Sequence, residues 1–240
     1  MLDRIPQLLD AFKSKFNLLI VDDYPIMVNI LTDLFSSPLY VTSNATSAET
    51  ARDLIVSKGT WHSWILDISM EEDESGLSLI RENPNFPFII MLSGMRSMNI
   101  ASRAMRLGAY KVFDKEPSFL SALHLDICAL SALAWILGGK GTKYFHLYLL
   151  LAQMDIVNTE EWANRACLTT RQLERICSMH SHLTPRYVLP LFTTLKLLLQ
   201  TNETGDITPA VLNTFKPEMP VEQHVEFVSR NIDKIISSVS

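Results

Sequence analysis

The chain has 240 residues, 48% of them hydrophobic and 20% charged, with a formal net charge of −5. This composition excludes a disordered chain and suits one large domain or two small ones around a packed core. The charge is uneven: residues 1–139 carry 11 Lys/Arg against 16 Asp/Glu, residues 140–200 carry 7 against 4, and residues 201–240 carry 3 against 6, so only the middle block is basic and favours a polyanionic partner.

The opening Met1-Leu-Asp-Arg-Ile-Pro lacks the basic region and continuous apolar core of a secretory signal. Leu2, Ile5, Leu8, Leu9 and Phe12 recur at three- and four-residue intervals, which predicts an amphipathic helix over residues 1–15 packed on a later element. Phe16 to Val21 is an apolar strand that runs into Asp22-Asp23, and Pro25 stands where the next helix begins. That helix extends to Phe35, a second strand starts at Leu39, and a helix from Ser47 to Lys58 is stopped by Gly59. Trp64-Ile-Leu-Asp67 is a third apolar strand ending on a carboxylate, followed by an acidic loop from Met70 and a short helix to Asn83. Phe88 to Leu92 is a fourth strand, closing on Ser93-Gly94. A helix over Met98–Leu107 ends at Gly108, and a fifth strand over Ala109–Phe113 leads to Lys115.

Five short apolar runs alternating with helices predict a parallel doubly wound α/β sheet, with chemistry at the carboxyl ends of its strands. Uniform crossover hand brings Asp22, Asp23, Asp67, Ser93 and Lys115 to one edge. Crowded carboxylates repel one another unless a hard cation sits among them, and Mg²⁺ takes oxygen ligands of this kind. Ser93 and Lys115 suit the oxygens of an anion built on Asp67, of which a phosphoryl group is the natural example.

The order Asp-Asp, Asp, Ser, Lys on successive strand ends resembles the receiver domain of two-component response regulators, over residues 16–137. The resemblance implies a flavodoxin-like fold and phosphoryl transfer to Asp67 from a sensor histidine kinase. It implies Mg²⁺ held by Asp22, Asp23, Asp67 and the Ser69 carbonyl, with Ser93 and Lys115 binding the phosphate. Three departures stand out. The turn after Asp67 has Glu71 and Ser75 where the family has proline and glycine, with Gly76 one place late. Glu116 separates Lys115 from Pro117. The aromatic switch position is Val112, with Tyr110 and Phe113 nearby. An aspartate-nucleophile phosphatase is disfavoured because Ser69, not a second aspartate, stands two residues after Asp67; the chain is expected not to be an enzyme.

Ser118 to Leu137 predicts a helix more apolar than one sheet-packing face needs. His124 and Asp126 interrupt it, so a buried or dimerising helix is expected and no membrane partner. Its surplus face, with Phe119, Leu123, Leu130 and Trp135, predicts a homodimer surface. Gly138-Gly-Lys-Gly141 reads as a linker without the pattern of a phosphate-cradling loop.

Residues 142–240 read as helical. Tyr144–Met154 forms one helix. Asn158 caps a second that runs through Ala166, and Leu168-Thr-Thr turns into a third over Arg171–His180. Leu173 and Ile176 face inward, leaving Thr170, Arg171, Gln172 and Arg175 as candidates to contact guanine or adenine edges in double-stranded DNA. The run Glu160-Glu-Trp-Ala-Asn-Arg-Ala-Cys-Leu-Thr-Thr-Arg-Gln-Leu-Glu-Arg-Ile, with Leu183-Thr-Pro-Arg-Tyr-Val, resembles the first helix-turn-helix of an AraC-type DNA-binding domain. By that resemblance Leu189–Gln200 is a linking helix, and Asp206–Ser240 holds a degenerate, net acidic second helix-turn-helix. The histidines lack zinc-type companions. Cys128, Cys167 and Cys177 are an odd number without metal-type spacing, which indicates reduced thiols and a cytoplasmic protein. The expectation is a phosphorylation-controlled DNA-binding response regulator; the alternative is a phospho-dependent adaptor whose helical half binds protein.

Overall fold

The computed structural model describes residues 5–12, 16–70, 75–94, 98–116, 118–139, 143–201 and 220–239. The acidic residues 71–74, part of the glycine run and residues 202–219, which include the first part of the second helix-turn-helix expected over Asp206–Ser240, lie outside the described residues.

Five parallel strands, β1 (Phe16–Val21), β2 (Tyr40–Ala45), β3 (Ser63–Asp67), β4 (Ile89–Ser93) and β5 (Lys111–Asp114), form one sheet in the order β2-β1-β3-β4-β5. Helices α1 (Ile5–Phe12) and α2 (Pro25–Leu34) flank β1 in the chain. The next three are α3 (Ala48–Lys58), α4 (Ser75–Glu82) and α5 (Met98–Leu107), and α6 (Phe119–Ile136) follows β5. Alternation along a strand sends successive side chains to opposite faces. Leu18, Ile20, Ile65, Ile90 and Leu92 accordingly join the core beneath α2 and α6, whereas Leu19, Val21, Trp64, Leu66, Ile89 and Met91 join the core containing Ala51, Leu77, Ile80 and Ala104. Covering both faces is why the strands read as unbroken apolar runs.

The fifth strand lies later than the sequence expectation of Ala109–Phe113. The Tyr110 N–H already donates to the Ile89 carbonyl at 2.7 Å, but ladder pairing begins with Lys111 opposite Ile90 and ends with Asp114 opposite Ser93. The one-residue extension carries Lys115 just past the sheet edge.

The helical half comprises α7 (Phe145–Gln153), α8 (Thr159–Arg165), α9 (Thr170–His180), α10 (Pro185–Leu199) and α11 (Val221–Val239). Asn158 caps α8 by accepting from the Glu161 N–H at 2.9 Å, and buried Trp162 donates to the Leu147 carbonyl at 2.8 Å, tying α8 to α7. A turn over 166–169, with Cys167 at φ 55°, leads into α9, whose Leu173, Ile176 and Cys177 are buried. The helix read from Leu189 onward starts earlier, at Pro185: proline suits the first helical position because its missing N–H has no partner to lose there.

The apolar surplus of α6 is not a homodimer surface. Leu123 and Leu130 are fully buried, Phe119 nearly so, and the Trp135 ring receives Phe12 of α1 edge-on at 5.3 Å. The chain covers this face itself: α10 packs on α6, and α1 packs on both α10 and α11. Residues of α6, α10 and α11 therefore belong to the same core as one face of the sheet. By length and composition α6 could cross a membrane, yet 67% of it is buried inside the protein.

Candidate functional site

The carboxyl ends of β1 and β3 are adjacent because Val21 pairs with Leu66, so Asp22 and Asp67 emerge side by side. Asp22 is fully buried and Asp67 is 4% exposed, whereas Asp23 faces solvent. The backbone N–H of Tyr24 donates to Asp22 Oδ1 at 3.0 Å, and the Ser69 N–H makes a longer contact of 3.4 Å to Asp67 Oδ1. Ligand oxygens of Asp22, Asp23 and Asp67 all lie within 4.8 Å of one another.

Lys115 reaches into this group from the exit of β5. Its Nζ is 2.7 Å from Asp22 Oδ2 and 2.7 Å from Asp67 Oδ2. Its position is fixed by its own N–H, which donates to the Ser93 carbonyl at 2.8 Å. Ser93, 7% exposed, ends β4 next to the end of β3. Burial pushes the Asp67 carboxyl above its ordinary range; Lys115 opposes that shift and the nearby Asp22 charge adds to it. Burial alone would weaken the Lys115 ammonium, but its bonds to Asp22 and Asp67 more than offset this and raise its pKa.

One ammonium against three carboxylates leaves two negative charges uncompensated, two of the acids being out of water. A divalent cation that prefers oxygen fits this donor set, and Mg²⁺ is the ion of that kind that retains several waters on few protein ligands. The cluster is a Mg²⁺-binding phosphoacceptor site.

Gly76 is a feature that spacing alone does not assign. It lies in the first turn of α4, where an added Cβ would fall 1.9 Å from the Asp67 carbonyl oxygen, and its N–H donates to the Ile68 carbonyl at 3.2 Å. The glycine lets α4 close directly over the backbone of the strand end that carries Asp67. The signals of this in the sequence are the glycine that the resemblance expects after Asp67, found here one place late, and its isolation in an otherwise polar stretch.

The remaining candidates lie together in the other half of the chain. Thr170, Arg171, Gln172 and Arg175 are all exposed on α9. Gln172 is engaged locally. Its Oε1 accepts from the Thr169 N–H at 2.8 Å and the Thr169 hydroxyl at 2.9 Å, while its own N–H donates to Thr169 Oγ1 at 3.2 Å. This is a reciprocal cap of the α9 N-terminus.

A parallel sheet of this order with acids, hydroxyl and ammonium on one edge defines a phosphoryl-accepting α/β domain. The family described as "Response regulator receiver domain" matches residues 18–123. These residues form a receiver domain, and the described chain beyond them is entirely helical. Among solved structures, the receiver domain of the Francisella response regulator 1452 is 22% identical, covering 49% of this chain and 98% of that one at a TM-score of 0.44. A response regulator receiver protein from Pseudoalteromonas atlantica is 22% identical over the same shares at 0.45. The CheX–CheY–BeF3–Mg complex from Borrelia burgdorferi matches at 25% identity, covering 48% of this chain and 88% of that one at 0.41. No curated protein matches the sequence.

Proposed function

We propose that the chain is a cytoplasmic response regulator, itself without catalytic turnover, that accepts a phosphoryl group on Asp67 from a sensor histidine kinase and thereby controls binding of its helical half to double-stranded DNA. The observation that carries this reading is the Lys115 ammonium bridging Asp22 and Asp67 at 2.7 Å each, at the edge where three strand ends supply acids and hydroxyl.

In the transfer, an Asp67 carboxylate oxygen forms a bond to phosphorus. The bond from phosphorus to the donor's histidine nitrogen breaks, its electron pair leaving with the imidazole. Asp22, Asp23 and Asp67 would hold Mg²⁺, which would supply positive charge to offset that of the phosphoryl oxygens and of the acids themselves. Lys115 exchanges its ion pair with Asp67, whose charge is now carried outward, for one with a phosphoryl oxygen, and the Ser93 hydroxyl donates to another. The Ser69 carbonyl belongs to the proposed metal set with Asp22, Asp23 and Asp67.

The domain division that goes with this reading is an N-terminal helix over 1–15, a receiver over 16–137, a short connection over 138–141 and an output region over 142–240. Phosphorylation acts on that output through the packing of α6 against α10, not through release of a loose tether, since the two helices share one core.

A second reading, a phospho-dependent protein adaptor, draws support from α11, a 19-residue helix that lies along α10 and adds no basic face. The test treats full-length protein with acetyl phosphate and Mg²⁺, follows the adduct by intact mass, and selects from a random double-stranded DNA library. A single adduct that is lost in Asp67→Asn, together with enriched DNA, is the expected result. Adduct without enriched DNA shifts the assignment to the adaptor, and no adduct overturns phosphoryl acceptance.

A further inference from the structure

Resting on the DNA-binding reading above, we infer that Arg171 and Arg175 are the base-reading residues of α9 and select guanine, whereas Gln172 positions the helix and reads no base. The capping geometry separates these roles. Reading adenine requires a side-chain amide to accept from N6 and donate to N7 at the same time. Gln172 Oε1 already accepts both the N–H and the hydroxyl of Thr169, at 2.8 and 2.9 Å. Its acceptor is committed to the helix start, so the bidentate adenine contact is not available without undoing the cap.

The arginines are placed differently. Arg171 and Arg175 are exposed, four residues apart on the face opposite buried Leu173, Ile176 and Cys177, and neither forms an ion pair with another described residue. Four residues advance a helix by about 6 Å, close to two base steps of about 3.4 Å. A guanidinium meets guanine O6 and N7 with two parallel N–H groups, the commonest specific contact in a major groove. Two guanines two steps apart are therefore the expected core of the half-site. Glu174 shares this exposed face and is acceptor-only, which repels phosphates and suits the cytosine amino group. The surrounding block, 7 Lys/Arg against 4 Asp/Glu over residues 140–200, supplies the attraction to the backbone.

The test is selection from a random double-stranded library by full-length wild type, Arg171→Ala, Arg175→Ala and Gln172→Glu, with the folded state of each checked by circular dichroism. Glutamate at 172 preserves the reciprocal cap. Each arginine variant is expected to lose about 5- to 150-fold discrimination at one guanine and to leave the other intact. Gln172→Glu is expected to bind more weakly at every sequence while enriching the same one. Guanines that persist in both arginine variants, or a base preference lost only in Gln172→Glu, would overturn the assignment while DNA binding itself stands. Absence of enriched DNA with every protein, wild type included, would overturn the DNA-binding reading and this assignment with it.

Discussion

The thiol of Cys128, in the last helix of the receiver half, donates to the carbonyl of Leu199 at the end of α10, 3.4 Å away and 71 residues later in the chain. Around this contact Leu123, Leu130, Leu195 and Leu198 are fully buried in one continuous core. Sharing that core predicts that the two halves unfold as a single cooperative unit. Leu195→Ala should therefore destabilise the whole protein by about 2–5 kcal/mol, the usual cost of emptying a buried leucine site. Hydrogen exchange under mild denaturant is the check, with β3 and α8 losing protection together. Loss of protection in α8 alone would show that the halves unfold independently.

The contact of Gly76 with the Asp67 carbonyl makes a sharper local prediction. A methyl group 1.9 Å from that oxygen cannot be accommodated by rotating a side chain, because the obstacle is backbone. Gly76→Ala should push α4 away from β3, lower stability by about 1–3 kcal/mol, and slow adduct formation at Asp67. Thermal melts and intact-mass time courses read the two effects separately. A variant with wild-type stability would show that α4 does not depend on this close approach.

Sheet and site are legible in the sequence because parallel strands buried on both faces leave a strong signature: Leu18-Leu19-Ile20-Val21 and Ile89 to Leu92 are apolar without a break, and polarity returns abruptly at Asp22 and Ser93. What covers α6 is not legible. Composition shows that Leu123 and Leu130 must be buried but carries no information on whether the cover is another copy or a helix some seventy residues later. The cap at α9 is legible in principle, since Thr169 and Gln172 have the spacing of a capping box. Exposure on one turn of helix nevertheless groups Gln172 with the arginines, and only the hydrogen bonds show where its oxygen is used. Gly76 is visible as a residue, but its meaning lies in a three-dimensional approach that linear spacing does not encode.

The charge imbalance among Asp22, Asp23, Asp67 and Lys115 predicts that Mg²⁺ stabilises the folded chain. At one hundred times its dissociation constant, a ligand bound only by the native state adds about 2.7 kcal/mol. The unfolding midpoint should rise with Mg²⁺ in wild type and respond far less in Asp23→Asn, which removes the exposed acid while leaving the buried Asp22–Lys115–Asp67 arrangement in place. Chelation should abolish adduct formation from acetyl phosphate. An equal Mg²⁺ response in both proteins would place the ion elsewhere.

His62 predicts a dependence of stability on pH. Its Nδ1 accepts the Asn17 N–H at 2.9 Å, packed at 5.5 Å against the Phe16 ring, and burial lowers its pKa to about 4 from an ordinary value of 6.5. The native imidazole must stay neutral while the unfolded one takes up a proton between these values. The stabilising contribution is therefore complete above pH 6.5 and disappears as pH falls towards 4. At about 1.4 kcal/mol for each pH unit of separation, the loss reaches about 3 kcal/mol. His224, buried and also lowered to about 4, acts in the same direction. Urea unfolding at pH 7.5, 6, 5 and 4.5 should show a falling free energy, with a shallower fall in His62→Gln, which keeps an acceptor for Asn17 but takes up no proton. A slope in His62→Gln equal to that of wild type would assign the acid sensitivity to other groups.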